Sequence, residues 1–178
     1  ATELKERIRA LERALDAEGR AAGSLRRPAA GVFSAELTAA ERKLMAALSE
    51  GRFVGGAVRN ALAGWPVNDI DIAVPMPPEE TLQRLQIAGI KALPTGLAHG
   101  TVTAILNGRP FEVTSLRHDV ETDGRHAVVE YTDDWLEDSA RRDFTMNALY
   151  ATSDGEIFDY HGGVEDLIAG RVRFVGDA

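Results

Sequence analysis

The segment Asp69-Ile-Asp-Ile-Ala-Val74 begins with alternating acidic and apolar side chains. This alternation predicts a half-buried β-strand, and strand geometry then places Asp69 and Asp71 on the same face. Two carboxylates held that close repel each other, so the pair is costly unless a cation lies between them. Magnesium prefers carboxylate and phosphate oxygens. An Asp-x-Asp segment alone is more typical of a solvated strand face, so its surroundings decide between the two interpretations.

A glycine pair precedes the acidic segment, and it strengthens the catalytic interpretation. Gly55 and Gly56 follow a short apolar strand and begin a predicted helix, and Arg59 lies within the first turns of that helix. Glycines let backbone amides approach a phosphate at a helix N-terminus, and an arginine one turn later can reach the same phosphate. A glycine pair by itself is usually only a turn. The order strand, glycine pair, helix with arginine and acidic strand is far more specific.

A third carboxylate, Glu112, lies in the strand that follows Asn107-Gly108, a strong hairpin signal. If that strand pairs beside the acidic segment, Glu112 joins Asp69 and Asp71. An exposed strand glutamate fits the sequence equally well.

The segment Arg141-Arg-Asp-Phe-Thr-Met-Asn-Ala148 is a second candidate for nucleotide contacts. The apolar spacing over residues 135–150 predicts a helix, on which Asp143 and Asn147 share a face. Arginines such as Arg142 bind triphosphate well, while Asp and Asn side chains can hydrogen-bond a ribose hydroxyl. The alternative is a helix N-cap flanked by surface arginines.

The remaining pattern predicts an α+β fold with a mixed sheet and interspersed helices. We expect two parts, an N-terminal helical extension over residues 1–50 and a larger domain over residues 51–178. The other predicted features are an amphipathic helix over 2–17, a flexible connection over 19–33, a helix from the Thr38/Glu41 capping box to about Ser49, a helix over 78–88, a polar turn-rich stretch over 117–127, and a last helix after Gly162-Gly163.

Charge and composition limit the possible partners. The formal net charge is −8; residues 1–50 hold nine basic and eight acidic side chains, whereas residues 51–178 hold eleven and twenty. An acidic surface should not grip a polyanion tightly, so we expect weak RNA binding unless a separate basic region holds the RNA. The chain has no cysteine, which excludes disulfides and thiolate metal sites. No apolar run is long enough for a membrane helix, and we expect a cytoplasmic protein.

Taken in order, the motifs resemble the head domain of class II CCA-adding enzymes and bacterial poly(A) polymerases, within the DNA polymerase beta nucleotidyltransferase superfamily. The resemblance covers about residues 51–178. The matching segments are Gly55-Gly-Ala-Val-Arg59, Asp69-Ile-Asp71, His99-Gly-Thr-Val102, Phe111-Glu-Val-Thr114, Asp123-Gly-Arg-His126, Arg141-Arg-Asp-Phe-Thr-Met-Asn-Ala148, Asp159-Tyr-His-Gly-Gly163 and Arg173-Phe-Val-Gly176.

The resemblance implies a mixed sheet of about five strands and the transfer of CMP or AMP, from CTP or ATP, to the 3′ end of tRNA. It implies that Asp69 and Asp71 bind two Mg²⁺ ions, or Mn²⁺ as a substitute, and that Glu112 is the accessory carboxylate. It implies a mobile loop around residues 123–126 that switches between the two nucleotides. The residues that it assigns to the triphosphate, phosphate and ribose are Gly55, Gly56, Arg59, Arg142, Asp143 and Asn147.

The chain departs from the family pattern in two places. Asn60 stands where the family usually has an aspartate, and residues 1–178 do not include the helical neck, body and tail that the resemblance leads us to expect. These departures keep several interpretations open: a CCA-adding head, a poly(A) polymerase head, a head subunit that needs a separate helical RNA-binding partner, or a non-catalytic module that kept the fold. The intact acidic and basic motifs favour an enzyme.

Overall fold

The computed structural model describes residues 26–28, 37–120 and 128–176. Ten strands and five α-helices lie within these ranges. The strands are β1 (Arg26–Pro28), β2 (Arg52–Val54), β3 (Asp71–Val74), β4 (Lys91–Gly96), β5 (Thr101–Leu106), β6 (Arg109–Ser115), β7 (Arg117–Val120), β8 (Val128–Tyr131), β9 (Leu149–Ala151) and β10 (Glu156–Asp159). The helices are α1 (Ala39–Leu48), α2 (Gly56–Ala63), α3 (Pro78–Ile87), α4 (Trp135–Ala140) and α5 (Gly163–Ala169); single 3₁₀ turns span Leu97–His99 and Thr145–Asn147.

Eight of these strands form one mixed sheet in the order β1-β10-β9-β2-β3-β6-β5-β4, and β7 pairs with β8 separately. Only the β3–β6 pair is parallel among the described strands of the large sheet; its other pairs are antiparallel. The α+β prediction is confirmed, but the expected number of about five strands is wrong. Strands β1, β2 and β9 have three residues each, which is too short for a readable alternation of side chains.

Local sequence signals explain where several elements begin and end. Thr38 accepts a hydrogen bond from the Glu41 amide at 3.2 Å, and Glu41 accepts one from the Thr38 amide at 2.7 Å, so the predicted capping box is confirmed. Helix α2 ends at Gly64, whose φ of 72° favours glycine. Asn107 and Gly108 turn with φ values of 51° and 75°, as a tight hairpin between β5 and β6 requires.

The sheet separates two apolar clusters. The larger cluster joins helices α1, α2 and α3 to one face of the sheet, and Leu48, Phe53 and Leu85 are among its fully buried members. The smaller cluster lies on the other face and centres on Tyr150, with Trp135 of helix α4 packed against it. None of the described helices is long and apolar enough to cross a membrane.

Four expectations about secondary structure are corrected. Residues 26–28, inside the predicted flexible connection, pair with β10 as an edge strand. Residues 117–120, predicted as turn-rich, pair with β8. The helix predicted over 135–150 ends at Ala140; Phe144 has an extended backbone, and a 3₁₀ turn over Thr145–Asn147 then leads into β9. Asp69 precedes strand β3 rather than lying in it.

The predicted helix over residues 2–17 and the loop around residues 123–126 lie outside the described residues. The predicted boundary between residues 50 and 51 stays a prediction. Helix α1, which precedes that boundary, contributes Leu44, Met45 and Leu48 to the larger core cluster.

Candidate active site

Two of the three candidate acids are brought together by the only parallel strand pair of the described large sheet. Asp71 is the first residue of β3, and Glu112 of β6 is its direct partner in the strand register. Both side chains are exposed, and Asp69 is exposed two residues before the strand. The acidic face predicted from the sequence therefore consists of Asp71 and Glu112, which two strands contribute, with Asp69 beside them.

The electrostatics of this strand end are those of crowded like charges. Asp71 is partly buried although its side chain reaches solvent; this partial burial raises its pKa, and the neighbouring Glu112 and Asp69 carboxylates raise it further, while Arg142 acts in the opposite direction. No group of three or more His, Cys, Asp or Glu side chains within the described ranges is already gathered as a metal site. The three carboxylates are therefore near enough for their charges to act on one another, but the described residues do not form a preformed metal site.

The glycine pair links strand β2 to helix α2 beside these acids. Gly55 has a φ of 71°, a conformation that favours glycine, and its amide donates to the Leu149 carbonyl at 3.1 Å. Gly56 begins the helix, and a side chain at Gly56 would contact the Arg59 guanidinium. The missing side chains therefore leave room where Arg59 lies against the start of the helix.

Arg59 is held by neutral partners. Its Nη1 donates to Asn147 Oδ1 at 2.7 Å, and its Nε donates to Asn60 Oδ1 at 3.0 Å. Asn60 also donates to the Pro66 carbonyl at 3.0 Å. An asparagine at position 60 therefore fixes Arg59 without neutralising it, which leaves the positive charge for an anionic ligand.

Asp143 and Asn147 are brought together, although not on a helix. Asn147 is the last residue of the 3₁₀ turn, Asp143 lies two residues before that turn, and Asn147 Nδ2 donates to Asp143 Oδ1 at 3.2 Å. Asp143 is exposed, and its carboxylate also accepts from the Phe144 amide at 2.7 Å. Asn147 therefore connects Asp143 to Arg59, so these three predicted residues form one hydrogen-bonded series.

Arg142 belongs to a buried network that the sequence reasoning missed. Asp138 is fully buried; its Oδ2 accepts from Arg142 Nη2 at 3.1 Å and from the Tyr150 hydroxyl at 2.7 Å. Its Oδ1 accepts from Arg141 at 2.9 and 3.0 Å. Burial alone would raise the pKa of Asp138, but the two arginines and the hydrogen bonds hold it below its ordinary value. Asp138 precedes the two arginines by three and four residues, and this spacing is the sequence signal that could have revealed the network.

A second buried carboxylate, Asp166 in helix α5, supports the turn that carries Asn147. It is fully buried and accepts from the Thr145 hydroxyl at 2.6 Å and from Arg173 Nε at 3.0 Å. Helix α5 also starts against this turn at Gly163, where a side chain would collide with the Thr145 carbonyl oxygen. The Gly162-Gly163 pair predicted to precede the helix therefore permits close packing behind the candidate site.

A mixed sheet with acids at one strand end, a glycine turn and two arginines beside them defines a head domain suited to nucleotide phosphates. The comparison with known proteins agrees: residues 51–173 match the family described as "Poly A polymerase head domain", and the chain belongs to this family.

Named relatives are CCA-adding proteins. The chain is 49% identical over 128 residues to the Danio rerio protein named "CCA tRNA nucleotidyltransferase 1, mitochondrial", covering 71% of this chain and 30% of that protein. It is 42% identical over 131 residues to a CCA-adding enzyme of Bacillus cytotoxicus, covering 72% and 32%. The crystal structure of the Bacillus stearothermophilus CCA-adding enzyme in complex with CTP superposes with a TM-score of 0.66 at 33% identity, over 79% of this chain and 34% of that one. The chain therefore spans about a third of the length of these relatives.

Proposed function

We propose that this chain is the catalytic head of a template-independent RNA nucleotidyltransferase that transfers CMP and AMP, from CTP and ATP, to the 3′ end of tRNA. The observation that carries the proposal is the direct register of Asp71 with Glu112, beside Asp69 and within the field of Arg142. Acids and arginines at one strand end suit a reaction that must hold both a polyphosphate and its counterions.

In the proposed reaction, the 3′-hydroxyl oxygen of the RNA forms a bond to the α-phosphorus of the nucleotide, and the bond from that phosphorus to the bridging oxygen breaks. Pyrophosphate leaves with the electron pair, and the hydroxyl proton is lost to solvent. Most of this task is positioning and charge stabilisation. We assign Arg59, Arg142 and the Gly56 amide to the phosphates, and Asp143 and Asn147 to the ribose and phosphate. The Gly55 amide already donates to the Leu149 carbonyl, so we assign to Gly55 only the turn that brings the Gly56 amide into place.

The residues fit divalent metal ions. Asp69, Asp71 and Glu112 offer only carboxylate oxygens, the ligands that Mg²⁺ prefers. Burial, and after it the neighbouring Glu112 and Asp69 carboxylates, raise the pKa of Asp71, and a bound cation would favour its charged form. We propose that Asp69 and Asp71 hold two Mg²⁺ ions, for which Mn²⁺ can substitute, with Glu112 as the accessory carboxylate. When bound, such ions stabilise negative charge on the reacting phosphate.

The relatives favour CCA addition, since those named above are CCA-adding proteins. Poly(A) synthesis is the second candidate, supported by the description of the matching family. Because the chain spans only about a third of those relatives, we propose that a further helical region or partner grips the tRNA. A cytoplasmic location stays a prediction, since the Danio rerio relative is named as mitochondrial.

The central test is titration calorimetry of Mg²⁺ with CTP into the full chain and into Asp71→Ala. We expect the variant to lose metal-dependent CTP binding while its circular dichroism spectrum stays unchanged. Asp154→Ala is the matched control, because it removes an exposed carboxylate from the turn between β9 and β10. Equal metal-dependent binding by the parent chain and Asp71→Ala would rule out the assignment.

A further inference from the structure

Two of the three guanidinium nitrogens of Arg142 are engaged inside the protein. Nε donates to the Tyr150 hydroxyl at 3.2 Å, and Nη2 donates to Asp138 Oδ2 at 3.1 Å. Within the described part of the chain, Nη1 donates to no residue. A guanidinium is planar and rigid, so fixing two of its nitrogens also fixes the direction of the third.

The two residues that hold Arg142 are themselves fixed. The Tyr150 hydroxyl donates to Asp138 Oδ2 at 2.7 Å, which closes a triangle of hydrogen bonds around the guanidinium. Tyr150 is fully buried in β9, with the rings of Trp135 and Tyr160 packed edge-on at centroid distances of 5.1 and 6.0 Å. Asp138 is fully buried in α4 and is tied to the start of β7 by the Arg117 amide at 3.2 Å. Neither group has room to turn.

The strand register places this triangle beside the candidate acids. Val54 of β2 pairs with Tyr150 on one side and with Asp71 on the other. Tyr150 and Asp71 therefore lie in one row across the sheet, and directly paired residues in such a row share a face. Arg142 is hydrogen-bonded to the Tyr150 hydroxyl, so its guanidinium lies on this face of the sheet as well.

We infer that Asp138 and Tyr150 are positioning residues: they hold the Arg142 guanidinium so that Nη1 is presented to a phosphate of the bound nucleotide. The inference rests on the proposed function and deepens it. It assigns to two fully buried residues a share of the affinity for the triphosphate. It also explains why Arg142, whose side chain is only 18% exposed, keeps one nitrogen without a partner among the described residues.

The test compares Tyr150→Phe with Tyr160→Phe in the full chain. Each substitution removes one hydroxyl that accepts from an arginine, but Tyr160 accepts from Arg52, at 3.3 Å, rather than from Arg142. We expect Tyr150→Phe to weaken the binding of CTP with Mg²⁺ by roughly three- to tenfold, the effect of losing one net hydrogen bond. The affinity for cytidine should not change. Tyr160→Phe should bind CTP like the parent chain, and an equal loss of CTP affinity in both variants would overturn the inference.

A double-mutant cycle separates positioning from a general structural role. In an Arg142→Ala background, Tyr150→Phe should cost no further CTP affinity, because the group that it positions is gone. An additive loss would mean that Tyr150 acts by another route and would contradict the inference. If Tyr150→Phe does not fold, Arg142→Lys serves instead: a lysine keeps the charge but cannot hold both partners and present a third donor in a fixed plane, so a several-fold loss is expected, and unchanged CTP affinity would overturn the inference.

These outcomes are distinguishable from a failure of the proposed function. If the parent chain binds no CTP with Mg²⁺, the proposed function itself fails. If the parent chain binds CTP and Tyr150→Phe binds it equally well, only the positioning role fails.

Discussion

Four carboxylates of this domain form two groups with opposite surroundings. Asp138 and Asp166 are fully buried, and each is paired with arginines and hydrogen-bonded to a hydroxyl group. Asp71 and Glu112 are exposed, and their two carboxylates lie beside each other. The charges of Asp138 and Asp166 are compensated by arginines within the fold, whereas we propose that a bound cation compensates the charges of Asp71 and Glu112.

The pKa shifts express the same contrast. The arginines, with their hydrogen-bonded neighbours, hold the pKa of Asp138 below its ordinary value against the effect of burial. Burial and like charges raise the pKa of Asp71. Folding therefore stabilises the charged form of Asp138 and destabilises the charged form of Asp71.

The largest expected effect comes from removing one of the two buried carboxylates. Asp166→Ala should lower the free energy of unfolding by about 1–3 kcal/mol, because it leaves the buried Thr145 hydroxyl without its acceptor. It also removes the ionic partner of two largely exposed arginines. Urea unfolding measures this change. Asp71→Asn, the control from the exposed group, should lose no stability. Similar losses in both variants would abolish the distinction between the two groups.

The second effect separates the two arginines that share Asp138. Arg142→Ala should weaken CTP binding by about ten- to a hundredfold, as expected for a charged hydrogen bond to a phosphate. Arg141 directs both Nε and Nη2 at Asp138 Oδ1, so Arg141→Ala should cause a much smaller loss. Calorimetric titration of both variants, with their unfolding midpoints as a control for stability, decides this. A larger loss in Arg141→Ala would reverse the assignment.

The third effect is a pH dependence of opposite sign in the two groups. The folded pKa of Asp71 is raised above 3.8, so its charged form costs stability once the pH rises above the folded pKa, and the cost is absent below the ordinary carboxyl range. Asp71→Asn should therefore be more stable than the parent chain near neutral pH, with no difference in acid. The lowered pKa of Asp138 predicts a contribution that is present at neutral pH and lost as the pH falls below 3.8. Urea unfolding between pH 3 and pH 7 measures both trends, and a stability gain of Asp71→Asn that grows toward acid pH would contradict the first.

The smallest effect concerns Asn60, the departure from the family's usual aspartate. Asn60→Asp keeps an acceptor for Arg59 but loses the donor to the Pro66 carbonyl, so we expect a loss of at most about 1 kcal/mol in unfolding free energy. The new carboxylate should also lower CTP affinity slightly by neutralising Arg59. Gln83→Glu adds the same charge on the exposed side of α3 and should change neither quantity. An increase in CTP affinity in Asn60→Asp would show that a charged partner orients Arg59 better than a neutral one.

Much of the local structure follows from short-range signals. The Thr38/Glu41 capping box, the helix end at Gly64 and the Asn107-Gly108 hairpin were all predictable, because each depends on the conformational preferences of adjacent residues. The family was recognisable for a related reason, since its motifs are continuous segments read in order. The strand count and the end of helix α4 were predicted wrongly, because three-residue strands and a helix that stops at Ala140 are decided by packing against distant parts of the chain.

The sequence by itself determined which residues are candidates for the proposed chemistry. Asp71, Glu112, Arg59, Arg142 and Asn147 stand in motifs whose residue types suit phosphates and cations. Only the tertiary structure decided how they meet. The parallel pairing of β3 with β6 places Glu112 beside Asp71, 41 residues apart in the chain. The buried side chains of Asp138 and Tyr150 fix the orientation of Arg142, which the sequence alone does not distinguish from an exposed arginine. Local preference acts between neighbours in the chain, whereas strand register and the pairing of buried charges act between residues that only folding brings together.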